Sequence, residues 1–481
     1  MKILFYYRET EQLGIEYLSS ILKKAGHKTE LIFEFGMPRW ATNSNIFNFR
    51  KDRERLLKKA EKFNPDLLAF SSDTYMYSHV RNMNALLKKK LNIPSIIGGI
   101  HATSLPQFVL NDGFDYVCIG EGEEAVLELV NKLEDNKDTS NIKNIWLKKN
   151  NKIIKNPLRP LIQNLDSLPF PDRDLFYKYG VFKDNLMVMA SRGCPYNCAY
   201  CHNSSDKKLY PNQRYTRKRS VDNVFEEINL AKKKYNIKRV EFEDETFTID
   251  MPWLREFAKR YPKEIGIPFF CQTNPNNVTE ENIRLIKEAG CPQMYMGIDS
   301  GDDHIRNNIL KRGVQQKQMI KAAKIIKDAG LKLQVTAMFA IPHETPEAMW
   351  RTVDLIEKIK PDASPTYTLF PFPQTDIYYY ALKKKMLDEK TILDIKQGKS
   401  SDHDVSILKH PYKNTAYNIS KLLSLYLRTP GVFKPLIKKK MLSNKKSRLS
   451  NYVYLFLLPF DYPFYAGDKI KAFLKAVIRN I

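Results

Sequence analysis

The chain has 481 residues, of which 43% are hydrophobic and 12% aromatic, and this composition excludes an intrinsically disordered protein. Six cysteines in a chain of this length exclude a disulfide-rich framework. The net charge of +24 suits an anionic partner (nucleic acid, an anionic substrate or a membrane surface), and it equally suits lysines spread over solvated helices.

The first residues, MKILFYYRET, have the pattern of a buried strand and not that of a signal peptide. The longest apolar run, residues 452–460, is too short to span a bilayer. We therefore expect a cytoplasmic protein, and the chain length predicts two or three domains.

Residues 1–135 alternate apolar strands with helical segments, which predicts a doubly wound, Rossmann-like parallel α/β sheet. The predicted strands are KILFYY, KTELIF, DLLAFSS, PSIIGGI and YVCIGEG. Ligands of such sheets bind at the carboxyl ends of the strands. The residues at those ends are Tyr7, Arg8 and Glu9; Ser71, Ser72, Asp73 and Thr74; Gly98, Gly99, Ile100 and His101; and Gly120, Glu121, Gly122 and Glu123.

Three further regions follow along the chain. Residues 136–180 are polar and lysine-rich, with one short hairpin pattern, and are predicted to form a linker. Residues 181–385 contain six more strands separated by helices, which predicts a partial (β/α)6 barrel of the TIM type with its site at the strand carboxyl ends. Residues 386–481 are predicted to form a mostly helical C-terminal extension.

A cluster of cysteines follows the first strand of the predicted barrel. Cys194, Cys198 and Cys201 have the spacing C-x3-C-x2-C. Three thiolates bind three irons of a [4Fe–4S] cubane and leave the fourth iron open, which separates a catalytic cluster from a four-thiolate electron carrier. A zinc site is the alternative, and it needs a fourth ligand such as His202. The barrel pattern favours iron.

The segment CPYNCAYCHN (194–203) resembles the radical S-adenosylmethionine (SAM) superfamily, and three further motifs occur in that family's order. These are VEFEDETF (240–247), GIDSG (297–301) and LKRG (310–313). The resemblance implies that SAM binds the open iron and is cleaved to a 5′-deoxyadenosyl radical. It also implies a set of SAM-binding residues: Tyr200, which contacts the adenine, Asp244, Glu245, Asp299, Ser300 and Arg312.

Some barrel motifs depart from the family pattern. AIPHET (340–345) resembles G-x-P-G-E-T, with Ala340 and His343 in place of the glycines. PFPQT (371–375) resembles P-Y-P-G-T and also lacks the glycine. Asp299 replaces the usual Glu, and QTNPN (272–276) stands where many members carry an Arg.

The N-terminal half resembles the cobalamin-binding branch of this superfamily, through LGIEYLSSILKKAGHKTEL, GGIHAT, GEGE and LDSLPFPDRD. The D-x-H-x-x-G signature is absent, so neither His27 nor His101 is predicted to bind cobalt, and a lone loop histidine is more often a hydrogen-bonding residue. The resemblance implies that cobalamin is bound by residues at the strand ends: Ser72, Thr74, Gly98, Gly99, His101, Gly120, Glu121 and Gly122.

Together these resemblances imply a cobalamin-dependent radical SAM methyltransferase. The implied substrate is an unactivated carbon of a small or lipid-like molecule, and the implied electron donor is a flavodoxin or ferredoxin. A cyclase or ring-forming oxidoreductase of the same architecture remains an alternative. An RNA-modifying methylthiotransferase would need three further N-terminal cysteines, and this region offers only Cys118, so nucleic acid is not the expected partner. A cobalamin-binding protein with a degenerate barrel conflicts with the three intact cysteines.

The tail places several basic residues before an aromatic and apolar stretch at 452–465. One interpretation is peripheral contact with an anionic membrane. The other, which we favour at this stage, is a solvated basic face beside a packing segment, because Pro459 and Pro463 interrupt the stretch. The basic residues are Lys434, Lys438, Lys439, Lys440, Lys445, Lys446 and Arg448.

Overall fold

The computed structural model describes residues 1–35, 49–181, 184–399 and 405–447. This part of the chain forms two compact units. The first contains residues 1–181 together with 392–399, and the second contains residues 184–391 together with 405–447. The first unit is therefore assembled from two separate stretches of the sequence.

The first unit is built on a seven-stranded sheet with the order β2-β1-β3-β4-β5-β6-β7. Its strands are β1 (Lys2–Arg8), β2 (Lys28–Glu34), β3 (Leu67–Ser71), β4 (Ser95–Gly98), β5 (Tyr116–Cys118), β6 (Ile145–Lys149) and β7 (Lys152–Ile154). The first five strands are parallel. Six of the seven residues of β1 are buried, as expected where helices cover both faces of a sheet.

The helices of this unit are α1 (Leu13–Lys24), α2 (Phe49–Phe63), α3 (Tyr77–Leu91), α4 (Ile100–Ser104), α5 (Pro106–Asn111), α6 (Glu123–Glu134) and α7 (Asp174–Tyr177). The strand order changes direction between β1 and β3, and ligands of doubly wound sheets bind at that switch point. The predicted Rossmann-like sheet is confirmed.

The hairpin pattern inside residues 136–180 extends the first sheet. Strand β6 pairs antiparallel with β5, with Val117 opposite Trp146, and β7 pairs antiparallel with β6. The strands provide hydrogen-bonding partners for the edge of β5, so this segment belongs to the sheet and does more than connect two domains.

The second unit contains a six-stranded, fully parallel sheet with the order β15-β14-β13-β12-β11-β8. The strands are β8 (Asn185–Val188), β11 (Arg239–Phe242), β12 (Phe269–Thr273), β13 (Gln293–Asp299), β14 (Lys332–Phe339) and β15 (Thr366–Thr368). A short antiparallel pair is formed by β9 (Ser191–Arg192) and β10 (Arg217–Lys218). The predicted partial barrel is confirmed, with its strands in sequence order.

Helices alternate with these strands: α8 (His202–Lys207), α9 (Val221–Lys234), α10 (Met251–Glu264), α11 (Glu280–Glu288), α12 (Gln316–Asp328) and α13 (Pro346–Ile359). Several start at a residue that can accept a hydrogen bond from the first turn. Ser220, Asp250, Thr279 and Thr345 each accept from the backbone N–H three residues on. Each such cap satisfies a backbone donor that the helix itself leaves unpaired.

The remaining described helices are α14 (Asp376–Lys383), α15 (Glu389–Lys396), α16 (Lys413–Arg428) and α17 (Lys434–Met441). The last three lie within residues 386–481 and confirm the predicted helical character of the extension over its described part. The described ranges contain no helix with the length and apolarity needed to cross a bilayer. Arg448 and the aromatic stretch 452–465 lie outside the described residues.

Candidate active site

The three cysteines of the C-x3-C-x2-C motif lie on the loop that follows β8 and β9, at the carboxyl end of the first barrel strand. All three are free thiols. The loop is entered through Gly193, whose φ is +84°, and a Cβ atom there would clash with the carbonyl oxygen of Tyr215. A side chain at residue 193 is therefore excluded by both backbone conformation and space.

A buried carboxylate holds the start of this loop. Asp244, just beyond β11, accepts a hydrogen bond from the backbone N–H of Ala190 at 2.9 Å and another from the hydroxyl of Ser191. It is fully buried, and burial raises its pKa although nearby Lys218 opposes the shift. Asp244 therefore fixes the residues directly before the first cysteine.

The donor set fits a cubane cluster. No three His, Cys, Asp or Glu side chains converge on a single metal position within the described ranges. A cubane does not require such convergence, because each thiolate binds a different iron. Burial, followed by the charge of Glu245, raises the pKa of Cys201 to about 12, so binding of iron would displace a proton from this thiol.

A polar network joins the cysteine loop to the end of β13. Arg312 forms an ion pair with Asp299 (Nε to Oδ2, 2.7 Å) and lies 3.5 Å from the sulfur of Cys198 (Nη1 to Sγ). The hydroxyl of Tyr200 donates to the same Asp299 oxygen at 2.8 Å, and Arg312 also donates to the carbonyl of Gly297 at 3.0 Å. A guanidinium at this position would place positive charge beside an anionic cluster if Cys198 binds iron.

The six residues with implied SAM contacts divide into three groups. Asp244 and Ser300 are completely buried, and Ser300 accepts from the backbone N–H of Asp302 at 3.2 Å, so both serve the protein's own loops. Glu245 is exposed at the end of β11, hydrogen-bonds Asn203 and lies close enough to Cys194 and Cys201 to affect their pKa. Tyr200, Asp299 and Arg312 form the network described above.

His202 follows the last cysteine and is the ring that a zinc site would require. Both ring nitrogens are buried, and neither has a hydrogen-bond partner among the residues described. The ring packs against Phe372 with 5.0 Å between ring centroids, and burial lowers its pKa to about 4. His202 is therefore a neutral imidazole beside the cysteine loop.

Three residues that stand where the resembled barrel motifs have glycine adopt a backbone conformation that favours glycine. Ala340, His343 and Gln374 have φ values of +58°, +66° and +68°. The left-handed region is unfavourable for residues with a Cβ atom, by about 1 kcal/mol each. The loops therefore hold these three residues in a costly conformation, which the sequence alone does not reveal.

The carboxyl ends of the first sheet are formed largely by backbone. Gly98, Gly99 and Gly120 are partly or fully exposed at the ends of the neighbouring strands β4 and β5. Gly99 has φ of +90°, and a Cβ atom there would lie 2.7 Å from the carbonyl oxygen and 2.9 Å from the nitrogen of Ser72. This surface of bare backbone allows a large planar ligand to approach closely.

Four other residues in the cobalamin set make contacts within the protein. The hydroxyl of Ser72 donates to the carbonyl of Asp73 at 2.6 Å. The Glu121 carboxylate accepts from the backbone N–H of Ile162 at 2.9 Å, and Gly122 packs near Cys118 and Val126. Thr74 is completely buried.

His101 is also completely buried, and both of its ring nitrogens have partners. Nδ1 lies 3.2 Å from the Thr74 hydroxyl, and Nε2 lies 3.1 Å from the carbonyl oxygen of Lys396. The ring stacks on Tyr77 with 4.1 Å between centroids. The Lys396 carbonyl belongs to the segment 392–399, which is part of the first unit.

Arg8, at the end of β1, has a feature that the sequence motifs do not indicate. Its side chain is buried, and its Nε and Nη1 atoms have no hydrogen-bond partner in the part of the chain that the structure describes. Its Nη2 atom contacts Glu9 at 3.3 Å. Orphaned guanidinium donors at the β1/β3 switch point fit a ligand with anionic or acceptor groups, such as the phosphate of a cobalamin nucleotide tail.

Comparison with known proteins places these sites in a family. Residues 188–356 match the radical SAM superfamily model, and residues 6–130 match the B12 binding domain model. An uncharacterized methyltransferase of Pyrococcus horikoshii is 30% identical over 439 residues, covering 89% of this chain and 90% of the relative. The anaerobic magnesium-protoporphyrin IX monomethyl ester cyclase of Synechocystis is 23% identical, covering 92% and 85%.

Among solved structures, the cobalamin-dependent S-adenosylmethionine radical enzyme OxsB with aqua-cobalamin and S-adenosylmethionine bound shares the fold. The TM-score is 0.68 at 16% identity, over 96% of this chain and 72% of that chain. The chain thus belongs to the B12-binding radical SAM superfamily. It is a radical SAM enzyme whose cofactors are a [4Fe–4S] cluster, SAM and cobalamin.

Proposed function

We propose that this enzyme transfers a methyl group to an unactivated carbon of a small or lipid-like substrate. The observation that carries the proposal is the similarity to a methyltransferase over nine-tenths of both chains, combined with the three free thiols at the end of the first barrel strand. When bound, the cofactors supply the 5′-deoxyadenosyl radical that abstracts a substrate hydrogen and the methyl group that replaces it.

The barrel residues would hold and shield this chemistry. Cys194, Cys198 and Cys201 are assigned to the cluster, and Asp244 to positioning of their loop through Ala190 and Ser191. Arg312 is assigned the role of stabilising the negative charge of the cluster, since it lies beside Cys198 and is oriented by Asp299. A fixed cation in a buried site needs no rearrangement when the cluster changes its charge.

SAM is assigned to the exposed end of β11 and to the neighbouring Tyr200. Glu245 offers an exposed carboxylate close to the cysteine loop, where the amino group of SAM would find an anionic partner. Tyr200 is fixed by its hydrogen bond to Asp299 and would present its ring to the adenine. Asp244 and Ser300 are assigned supporting roles because they are completely buried.

Cobalamin is assigned to the carboxyl ends of the first sheet. Gly98, Gly99 and Gly120 would form the surface against the corrin or its tail, and Arg8 would provide donors to an anionic group. His101 is assigned a structural role, since both ring nitrogens are already engaged. A flavodoxin or ferredoxin is the class of protein that would reduce the cluster.

Methyl transfer and cyclisation are distinguished by the products of SAM. A relative named as a cyclase covers 92% of this chain, so ring formation is the second candidate. The reduced holoenzyme is incubated with SAM that carries a deuterated methyl group and with an extract of cells that lack the gene. A methyltransferase forms S-adenosylhomocysteine together with 5′-deoxyadenosine and yields a labelled product. Formation of 5′-deoxyadenosine without S-adenosylhomocysteine or label would reject methyl transfer in favour of the cyclase.

A further inference from the structure

The most exposed large apolar side chains in the described structure lie within five residues of one another. Val432, Phe433 and Leu436 are 78%, 56% and 70% exposed. We call these three residues the apolar tip. Single exposed apolar side chains are ordinary on a protein surface, whereas a cluster of them indicates a contact with another molecule.

The apolar tip is presented by a well-anchored pair of helices, α16 and α17. Asn418 of α16 donates to the carbonyls of Ser443 at 2.9 Å and Lys445 at 3.0 Å, beyond the far end of α17. Tyr426, near the end of α16, packs edge-on against Trp350 with 5.3 Å between ring centroids. Both ends of the helix pair are therefore held by contacts, while the three residues of the apolar tip remain exposed.

The segment that carries the tip is strongly basic. Residues 405–447 contain ten lysine or arginine residues and no aspartate or glutamate. Lys439 and Lys440 are exposed on α17, directly after the tip, and Lys445 and Lys446 are exposed just beyond it. Lys434 pairs with Glu357, and Lys438 lies 4.1 Å from the ring centroid of Trp350, so these two help to hold the helix.

We propose that the apolar tip and these lysines dock the enzyme on an anionic membrane surface. A bilayer accepts valine, leucine and phenylalanine side chains at the boundary of its acyl region, while lysines beside them meet anionic headgroups. Nucleic acid would use the lysines and at most the ring of Phe433, and it would leave Val432 and Leu436 without a role, because valine and leucine offer no ring for stacking on bases. Docking would bring the enzyme to substrates held in or at the membrane, and it is independent of the reaction catalysed.

Vesicle flotation with the purified full-length protein tests the proposal. Phosphatidylcholine vesicles with and without phosphatidylglycerol are compared at low and high salt. We expect binding to the anionic vesicles at low salt and its loss at high salt, because headgroup attraction is screened. A V432S/F433S/L436S variant should bind at least about tenfold more weakly, since it loses the apolar anchors. Lys439→Gln with Lys440→Gln should weaken binding by on the order of tenfold.

The matched control replaces apolar residues that are exposed elsewhere. An L209S/L230S/L393S variant removes three leucines with 40%, 48% and 47% exposure and should bind as the wild type does. Failure of the wild type to float with anionic vesicles at low salt would overturn the proposal, as would unchanged binding by the tip variant. Tip-dependent binding of single-stranded RNA without vesicle binding would also overturn it. The assay requires no turnover, so its outcome is separate from that of the methyl-transfer test.

Discussion

The strand ends of the two sheets are built in different ways. In the barrel, side chains hold the loops: Asp244 fixes the residues before the cysteines, and Arg312 links Asp299 to Cys198. In the first sheet, backbone dominates, with Gly98 and Gly99 partly exposed and most polar side chains turned to internal hydrogen bonds. A site made of reactive side chains leaves a specific sequence motif, whereas a site made of backbone leaves only short glycine patterns.

The largest effect is expected at the cysteines. Cys198→Ala should lose the cluster and reduce SAM cleavage to 5′-deoxyadenosine below detection, because two thiolates cannot hold a cubane with one open iron. The iron and sulfide content per chain measures the loss of the cluster, and analysis of the products measures the loss of SAM cleavage. Cys118→Ala, in the buried end of β5, is the control and should retain its iron. A full iron complement in Cys198→Ala would contradict the assignment.

The second-largest effect is expected at Asp244, since it acts on the cysteine loop through hydrogen bonds. Asp244→Asn removes the charge that accepts from Ala190 and Ser191, a loss of about 2 kcal/mol for a charged acceptor. We expect several-fold lower iron loading and about tenfold slower SAM cleavage, with an unchanged circular dichroism spectrum. Glu243→Gln, its partly exposed neighbour, is the control. Normal iron content in Asp244→Asn would reject the positioning role.

The first sheet is tested by two glycines with the same backbone angle. Gly99 and Gly26 both have φ of +90°, but a Cβ atom at residue 99 would collide with Ser72 while residue 26 has open space. Both alanine variants bear the conformational cost, about 1 kcal/mol. Only Gly99→Ala should bind cobalamin more weakly, by about tenfold, as measured by the absorption band of cobalamin. The iron content of this variant should be unchanged. Equal cobalamin content in the two variants would contradict the assignment of cobalamin to the carboxyl ends of the first sheet.

Glu344 should make the stability of the barrel depend on pH. Burial raises its pKa to about 8, and its Oε1 atom has no partner in the described ranges. The folded state therefore holds a proton that the unfolded state releases near pH 4.5, so stability falls as pH rises from 4.5 towards 8. Glu344→Gln should melt above the wild type at pH 9 and lose this advantage at pH 5.

The control for this comparison is Glu347→Gln. Glu347 is exposed near the start of α13, and hydrogen bonds, first from Thr345, lower its pKa. Its replacement should not raise the melting temperature at high pH. A melting difference between Glu344→Gln and the wild type that is the same at pH 5 and pH 9 would contradict the buried, protonated carboxyl.

The smallest effect is expected at the lost glycines. Gln374→Gly should stabilise the protein by about 1 kcal/mol, because glycine adopts the observed φ of +68° without a steric cost. The increase in melting temperature would be about 2–4 °C. Lys321→Gly, within α12, is the control and should destabilise by about 1 kcal/mol. A lower melting temperature for Gln374→Gly would show that its exposed side chain contributes more than its backbone costs.

The sequence predicts all eleven parallel strands of the two sheets, since their apolar runs and the helices between them are local features. It also predicts the position of Cys194 at the end of β8. It does not predict that two donors of Arg8 have no partner among the described residues, or that the carbonyl of Lys396 lies against the ring of His101. Those outcomes depend on contacts between residues that are far apart in the sequence, which periodicity and spacing do not encode.

The altered motifs illustrate the same limit within a loop. Ala340, His343 and Gln374 stand where the resembled motifs have glycine, and residue type alone does not give their backbone angles. The structure keeps all three in the left-handed region, because the surrounding strands and helices determine the path of the loop. A backbone conformation that favours glycine can therefore be adopted by other residues when the fold imposes it.

Because residues 392–399 belong to the first unit, this unit cannot complete its folding during synthesis until they have been made. The stretch 1–181 leaves the ribosome long before the peptide that contributes the Lys396 carbonyl to His101 has been made. At ordinary translation rates the delay is on the order of ten to forty seconds. Throughout that interval His101 lacks its Lys396 partner, so the cobalamin-binding unit reaches its final form only after the whole barrel has been translated.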